Sequence, residues 1–143
     1  MATYNGTNGE DSIDGSDNND LIYGYGGLDY LYGNDGNDVI RGGGGDDRIF
    51  GGVGSDELYG ESGRDLLFGY YPNTGNEIDY LTGGADSDTF VLGDRSKAFY
   101  LEPGSNAVIL DFEKRTDRLE LHGDQSQYSL GYSRGFTWQG RFY

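Results

Sequence analysis

The sequence predicts an all-β fold, a solenoid of two parallel sheets wound from short repeats. Three observations predict it. A nine-residue phrase recurs nine times within residues 1–92, glycine fills 27 of 143 positions, and one large apolar residue stands at a fixed place in each phrase. The phrase is Gly-x-x-Gly-x-Asp-x-Leu/Ile-x. It is clearest where Gly42-Gly43-Gly44-Gly45-Asp46-Asp47-Arg48-Ile49-Phe50 runs directly into Gly51-Gly52-Val53-Gly54-Ser55-Asp56-Glu57-Leu58-Tyr59.

The phase follows from the aspartate at position six. Asp11, Asp20, Asp29, Asp38, Asp47, Asp56 and Asp65 lie nine residues apart, and Asp79 and Asp88 continue the series after an insertion near residues 70–76. Position one is Gly6, Gly15, Gly24, Gly33, Gly42, Gly51, Gly60, Gly69 and Gly83. Position four is mostly glycine, with Asn18 and Asp86 as substitutes that tolerate a left-handed backbone. Position eight holds Ile13, Ile22, Leu31, Ile40, Ile49, Leu58, Leu67, Leu81 and Phe90.

Each unit therefore reads as six loop residues and a three-residue strand. Side chains alternate along a strand, so position eight faces inward and positions seven and nine face outward. One inward residue per nine is too little for an ordinary core. Stacking supplies the remedy: two units make one turn, and turns pile up at ~4.8 Å spacing.

Composition bounds the energetics. The hydrophobic fraction is 34%, below the ~45–50% typical of globular chains. Burial of apolar surface alone leaves such a fold marginal, and the glycines add backbone entropy to be lost. The net charge is −15. Residues 1–93 hold 18 acids against 3 arginines, while residues 94–143 hold 7 acids and 7 bases. A polyanion repels nucleic acid and anionic membranes and attracts divalent cations. Without cations, the same composition predicts self-repulsion and disorder.

The absence of cysteine excludes disulfides and thiolate metal sites. No segment is apolar enough to span a membrane as a helix. Met1-Ala2-Thr3-Tyr4 carries no basic segment and no apolar run, so no cleavable leader is expected.

Loops alternate between two edges of the stack, so neighbours on an edge are eighteen residues apart. Asp11, Asp29, Asp47 and Asp65 form one column, and Asp20, Asp38 and Asp56 form the other. Stacked carboxylates repel unless a cation lies between them. Calcium takes six to eight oxygens at roughly 2.3–2.6 Å, and glycine-rich loops let carbonyls turn toward it. Zinc and copper favour His or Cys, and His122 is the only such residue.

The phrase resembles the Gly-Gly-x-Gly-x-Asp-x-U-x nonapeptide of RTX (repeats-in-toxin, hemolysin-type) proteins, U being a large apolar residue. The resemblance covers residues 5–92. It implies a right-handed parallel β-roll in which position-six aspartates of two loops on one edge, with loop carbonyls, bind one Ca²⁺. Carried over here, the ligands are Asp11, Asp20, Asp29, Asp38, Asp47, Asp56, Asp65, Asp79 and Asp88. Five pairs follow the eighteen-residue rule, and Asp65–Asp88 and Asp56–Asp79 lie twenty-three apart. About five to seven ions are expected. Glu77 and Ile78 stand in loop 8 where Gly and a small polar residue are usual, which makes Asp56–Asp79 the irregular pair. Seven ions would bring the net charge of −15 to about −1.

Weaker signals have simpler readings. Tyr23, Tyr32, Phe50, Tyr59 and Phe68 at position nine are expected to form outward ladders, either shielding narrow sheets or offering a sugar-binding platform. Gly42–Gly45 lacks the Lys-Ser/Thr ending of a phosphate loop. The paired carboxylates belong to the repeat rather than to a glycosidase. No catalytic constellation emerges, and the chain is not expected to be an enzyme.

After residue 92 the rhythm stops, and residues 93–143 are expected to form a small C-terminal β cap. Val108-Ile109-Leu110-Asp111-Phe112 reads as a buried strand and Asp117-Arg118-Leu119-Glu120-Leu121 as a half-exposed one. This pair is similar to the segment that follows the repeats in many RTX proteins. Its task would be to cover Phe90 and an open sheet edge. Asp111 and Asp117 are candidates for one further calcium. Phe136, Trp138, Phe142 and Tyr143 close the chain with an apolar ending.

The expected function is a calcium-binding module of a bacterial secreted protein that folds on Ca²⁺ binding after export. The resemblance implies an extracellular location and passage through type I secretion machinery. Two alternatives stay open: an adhesion or carbohydrate-binding module that meets a cell surface, and an accessory domain of a larger secreted hydrolase or epimerase.

Overall fold

The structure, a computed structural model, describes residues 1–70, 77–92 and 106–121. The described residues hold twelve strands and no helix. They are β1 (Thr3–Asn5), β2 (Ser12–Asp14), β3 (Leu21–Gly26), β4 (Tyr30–Asp35), β5 (Val39–Gly44), β6 (Arg48–Val53), β7 (Glu57–Ser62), β8 (Leu66–Tyr70), β9 (Ile78–Ala85), β10 (Thr89–Val91), β11 (Asn106–Ile109) and β12 (Arg118–Glu120).

Odd and even strands separate into two six-stranded parallel sheets. One runs β1-β3-β5-β7-β9-β11, the other β2-β4-β6-β8-β10-β12. Register follows the repeat: Ile22 lies beside Ile40, Ile40 beside Leu58, and Leu58 beside Leu81. Leu31, Ile49, Leu67 and Phe90 match in the other sheet. The fold is the two-sheet parallel β-roll that the repeat predicts.

The core is a double file of position-eight side chains. Ile22, Leu31, Ile40, Ile49, Leu58, Leu67, Leu81 and Phe90 are all fully buried. Ile13, in the first turn, is only half-buried against them. Each file member touches its own kind above and below, so a gap has few neighbours able to fill it. Ile49→Ala is expected to cost about 3 kcal/mol in the folded, calcium-loaded protein. Denaturant unfolding in millimolar calcium would measure it. A loss below about 1 kcal/mol would show that adjacent turns close over the gap.

Three details depart from the sequence reading. A strand precedes the first phrase: β1 pairs with β3, setting Tyr4 beside Ile22. The interior strands are longer than three residues, because pairing resumes past position one, as at Tyr25 with Gly43 and Gly26 with Gly44. The aromatic ladder is continuous on one sheet only. Tyr32, Phe50 and Phe68 stack at 4.8 and 4.6 Å between ring centroids. On the other sheet Arg41 stands between Tyr23 and Tyr59, its guanidinium 4.2 Å from the Tyr59 ring centre.

Beyond the repeats, β11 extends one sheet beside β9 and β12 extends the other beside β10. Leu119 pairs with Phe90, and the Phe112 ring packs on Phe90 at 6.1 Å. The first of these strands is not the buried one expected over Val108–Phe112. It spans Asn106–Ile109, is half-exposed, and gives way to an exposed Leu110. It pairs on one side with β9, and among the described residues no strand covers its other edge. The insertion loop, His122, and the closing Phe136, Trp138, Phe142 and Tyr143 lie outside the described residues.

Candidate metal centre

The aspartate columns are present as the spacing predicts, with one aspartate per turn on each edge. Each column is tied together by one repeated hydrogen bond, in which the backbone N–H of one aspartate donates to Oδ1 of the aspartate a turn later. Along one edge the bonds run from Asp11 to Asp29 (2.8 Å), Asp29 to Asp47, Asp47 to Asp65 and Asp65 to Asp88 (2.9 Å each). Along the other they run from Asp20 to Asp38 (2.7 Å), Asp38 to Asp56 (2.8 Å) and Asp56 to Asp79 (2.9 Å). The five-residue insertion therefore leaves the Asp56–Asp79 step intact.

Both columns extend past the aspartates read from the repeat. Ala2, a turn ahead of Asp20, donates its N–H to Asp20 Oδ1 at 2.8 Å. Asp88 donates to Asp117 Oδ1 at 3.1 Å, so Asp117 occupies position six of a further unit. Asp111 does not share that place: its oxygens accept the N–H groups of Gly83 (2.9 Å) and Gly84 (2.7 Å). The other column meets Ala107 after Asp79 and carries no further carboxylate there.

The second oxygen of six interior aspartates is the unusual atom. Oδ2 of Asp29, Asp38, Asp47, Asp56, Asp65 and Asp88 is buried and accepts no hydrogen bond. An unsatisfied buried polar group costs ~1–3 kcal/mol, and more when charged. Six of them together rival the ~5–15 kcal/mol net stability of a whole domain. The three arginines of the repeats do not answer them. Arg41 pairs with Glu61 at 3.1 Å, Arg64 pairs with Asp46 at 2.6 Å, and Arg48 lies over the Tyr30 ring.

Burial accordingly drives the interior carboxyls upward, with neighbouring carboxylates adding to the shift. Asp38, Asp47 and Asp88 are pushed up to about 6, and Asp65 to about 7. Asp56 reaches about 8, because Asp79, Asp38 and Glu77 reinforce its burial. Asp20 moves the other way, held down by the N–H of Ala2 and by the hydroxyl and N–H of Ser16.

The surroundings of each orphan oxygen explain the glycine at position one. A methyl group on Gly24 would collide with Asp29 Oδ2 and with the Gly42 carbonyl oxygen. The same two kinds of oxygen crowd Gly33, Gly51 and Gly60. Glycine therefore keeps clear a cradle where a carboxylate oxygen and a carbonyl oxygen of the next turn converge. An all-oxygen, anionic donor set of this kind suits a hard cation such as calcium. Among the described residues no group of three or more His, Cys, Asp or Glu side chains converges on one point. The cradles pair carboxylates with backbone carbonyls.

Loop 8 solves its irregularity with a side chain. At Gly27, Gly36, Gly45 and Gly63 the position-four N–H donates to a carbonyl of the next turn, as Gly36 does to Val53 at 2.8 Å. Gly54 donates instead to Glu77 Oε1 at 3.2 Å. Glu77, only 4% exposed, adds its carboxyl to the surroundings of Asp56.

A parallel roll with buried carboxylate columns and glycine-cleared carbonyl cradles is a repeat protein built to hold metal along its edges. The profile of the RTX calcium-binding nonapeptide repeat matches residues 5–40, 32–67 and 73–94, more than half of the chain. The chain belongs to that family, and its repeats form a calcium-binding β-roll. Comparison with curated proteins and with solved structures gave no match. Among the described residues no helix is long and apolar enough to cross a membrane.

Proposed function

We propose that this chain is a calcium-dependent folding module of an exported bacterial protein, disordered at cytosolic calcium and rolled up at extracellular calcium. The buried, unpartnered Oδ2 atoms carry this reading. Ionised, they oppose the fold. With Ca²⁺ among them they become its ligands, so metal binding free energy becomes folding free energy. The ligands are drawn from the position-six aspartates and neighbouring loop carbonyls, for about five to seven ions. Export through a type I channel as an unfolded chain agrees with a sequence free of cysteine and with folding delayed until calcium is met.

The module performs no catalysis of its own in this reading, since its carboxylates serve the metal columns. A sugar-binding platform is less well supported. Phe50 is stacked on both faces, by Tyr32 and by Phe68, so the centre of the ladder has no free ring face for a sugar.

Circular dichroism during a calcium titration tests the proposal. The expected result is a coil spectrum in chelator and a cooperative change to β-sheet by millimolar Ca²⁺, with no equal response to Mg²⁺. A chain fully folded in chelator at neutral pH would refute the switch.

A further inference from the structure

The position-six aspartates are identical in sequence, yet the structure divides them, Asp79 at the close of its column set aside, into two kinds. In the interior kind, Oδ2 is buried and unpartnered. In the end kind, Oδ2 is closed by its own loop. Asp11 Oδ2 accepts both the N–H (2.6 Å) and the hydroxyl (2.9 Å) of Thr7. Asp20 Oδ2 accepts both the N–H and the hydroxyl of Ser16, each at 2.7 Å. At the far end, Asp117 Oδ2 accepts the N–H of Glu113 at 2.7 Å. All five bonds span four residues, from position two to position six.

The backbone divides in the same way. Position two has positive φ at Tyr25, Asn34, Gly43, Gly52, Glu61 and Gly84, and position four at Gly27, Gly36, Gly45, Gly54, Gly63 and Asp86. Thr7, Gly9, Ser16 and Asn18, at those positions in the first two loops, do not adopt it. Strands β1 and β2 accordingly stop at position nine, whereas β3 to β7 run on to position three. The first two loops are thus local turns, in which a short hydroxyl side chain and a carboxylate satisfy each other.

We propose that calcium is held by the interior set Asp29, Asp38, Asp47, Asp56, Asp65 and Asp88, and that Asp11, Asp20 and Asp117 are hydrogen-bonded end caps rather than calcium ligands. This rests on the calcium reading and narrows it. A solenoid needs ends that close without a further repeat. Thr7 and Ser16 supply that closure at the first turn by occupying the oxygens that face metal elsewhere. The repeat therefore sets where aspartate stands, and the backbone at position two, left-handed as at Glu61 or closed in a local turn as at Thr7, Ser16 and Glu113, sets whether that aspartate meets an ion.

Isothermal titration of the whole chain with calcium, at neutral pH, tests the assignment. The Asp11→Asn/Asp20→Asn variant removes both charges, keeps one acceptor oxygen at each position for the Thr7 and Ser16 donors and gives up the Ala2 bond at position 20. It should bind as many ions as the unaltered chain, with affinity within about twofold. The Asp38→Asn/Asp47→Asn variant should bind fewer ions, or bind them at least tenfold more weakly. If that variant fails to fold, Asp29→Asn alone replaces it, with the same expectation. Loss of ions in the Asp11→Asn/Asp20→Asn variant would overturn the end-cap assignment while leaving the calcium reading intact. An unaltered chain that takes up no calcium would overturn the calcium reading itself, and the ligand assignment with it.

Discussion

In a chelator, the chain should gain β-structure as the pH is lowered from about 8 toward about 4. The direction follows from linkage. The interior aspartates have folded-state values raised by burial, to about 6 for Asp38, Asp47 and Asp88, about 7 for Asp65 and about 8 for Asp56. Their unfolded values lie near ~3.9. A raised carboxyl binds more protons folded than unfolded, so its contribution to stability is fully present below the unfolded value. It is lost as the pH rises through the folded one. The window thus opens near pH ~4 and closes by about 8, where Asp56 ionises.

Calcium reverses the sign. Carboxylate ligands must be deprotonated, so proton and calcium compete for the same oxygens. In millimolar calcium the roll should persist at pH ~8, and calcium affinity should fall as the pH drops through the same window. Far-ultraviolet circular dichroism against pH, with and without chelator, reads both effects. A metal-free chain whose β-content rises with pH would contradict the buried-carboxylate account.

The second large effect is expected from Gly45→Ala compared with Gly9→Ala. Both glycines stand at position four. Gly45 has φ +118°, and a methyl there would strike the Gly27 carbonyl oxygen of the turn below. That carbonyl belongs to a stack and has little freedom to withdraw. Strain at such a backbone position costs ~1–3 kcal/mol before the collision is counted, so a total loss of about 3 kcal/mol or more is expected. It should raise the calcium concentration needed for folding. Gly9 lacks the positive φ, and its nearest neighbour to a methyl would be Thr7 Oγ1 at 3.8 Å. Gly9→Ala should stay within about 0.5 kcal/mol. Equal losses at the two sites would mean that glycine serves composition rather than position.

Much of this molecule is legible in its repeat, for a physical reason. In a parallel stack, register, inward face and ligand column all follow from one period, so reading the aspartates also places Ile22 beside Ile40 and buries both. Features outside the period are harder to see. The strand at Thr3–Asn5 has Ala2 in place of the aspartate that marks every other unit of residues 1–92. The longer interior strands hide in loop residues such as Tyr25 and Asn34, whose composition reads as turn while their backbones pair across turns. The two kinds of aspartate share one sequence symbol. For Asp11 and Asp20 the marker is Thr7 or Ser16 four residues ahead, which stands out once the hydrogen bonds are known; Asp117 has Glu113 there, as Asp65 has Glu61, and carries no such marker. Val108–Phe112 reads as buried because it is apolar, yet as the last strand of its sheet it stays half-exposed.

The alternation of units between two sheets bears on how such a chain can lengthen. Duplicating one nine-residue unit would send every later unit to the opposite sheet. Tyr32, Phe50 and Phe68, now stacked on one face, would be separated by any single unit inserted among them. Duplicating eighteen residues would add a full turn and leave every later partner unchanged. The length of the phrase is nine, but the smallest heritable step that preserves both faces is two phrases, so genes of this kind should grow and shrink in pairs.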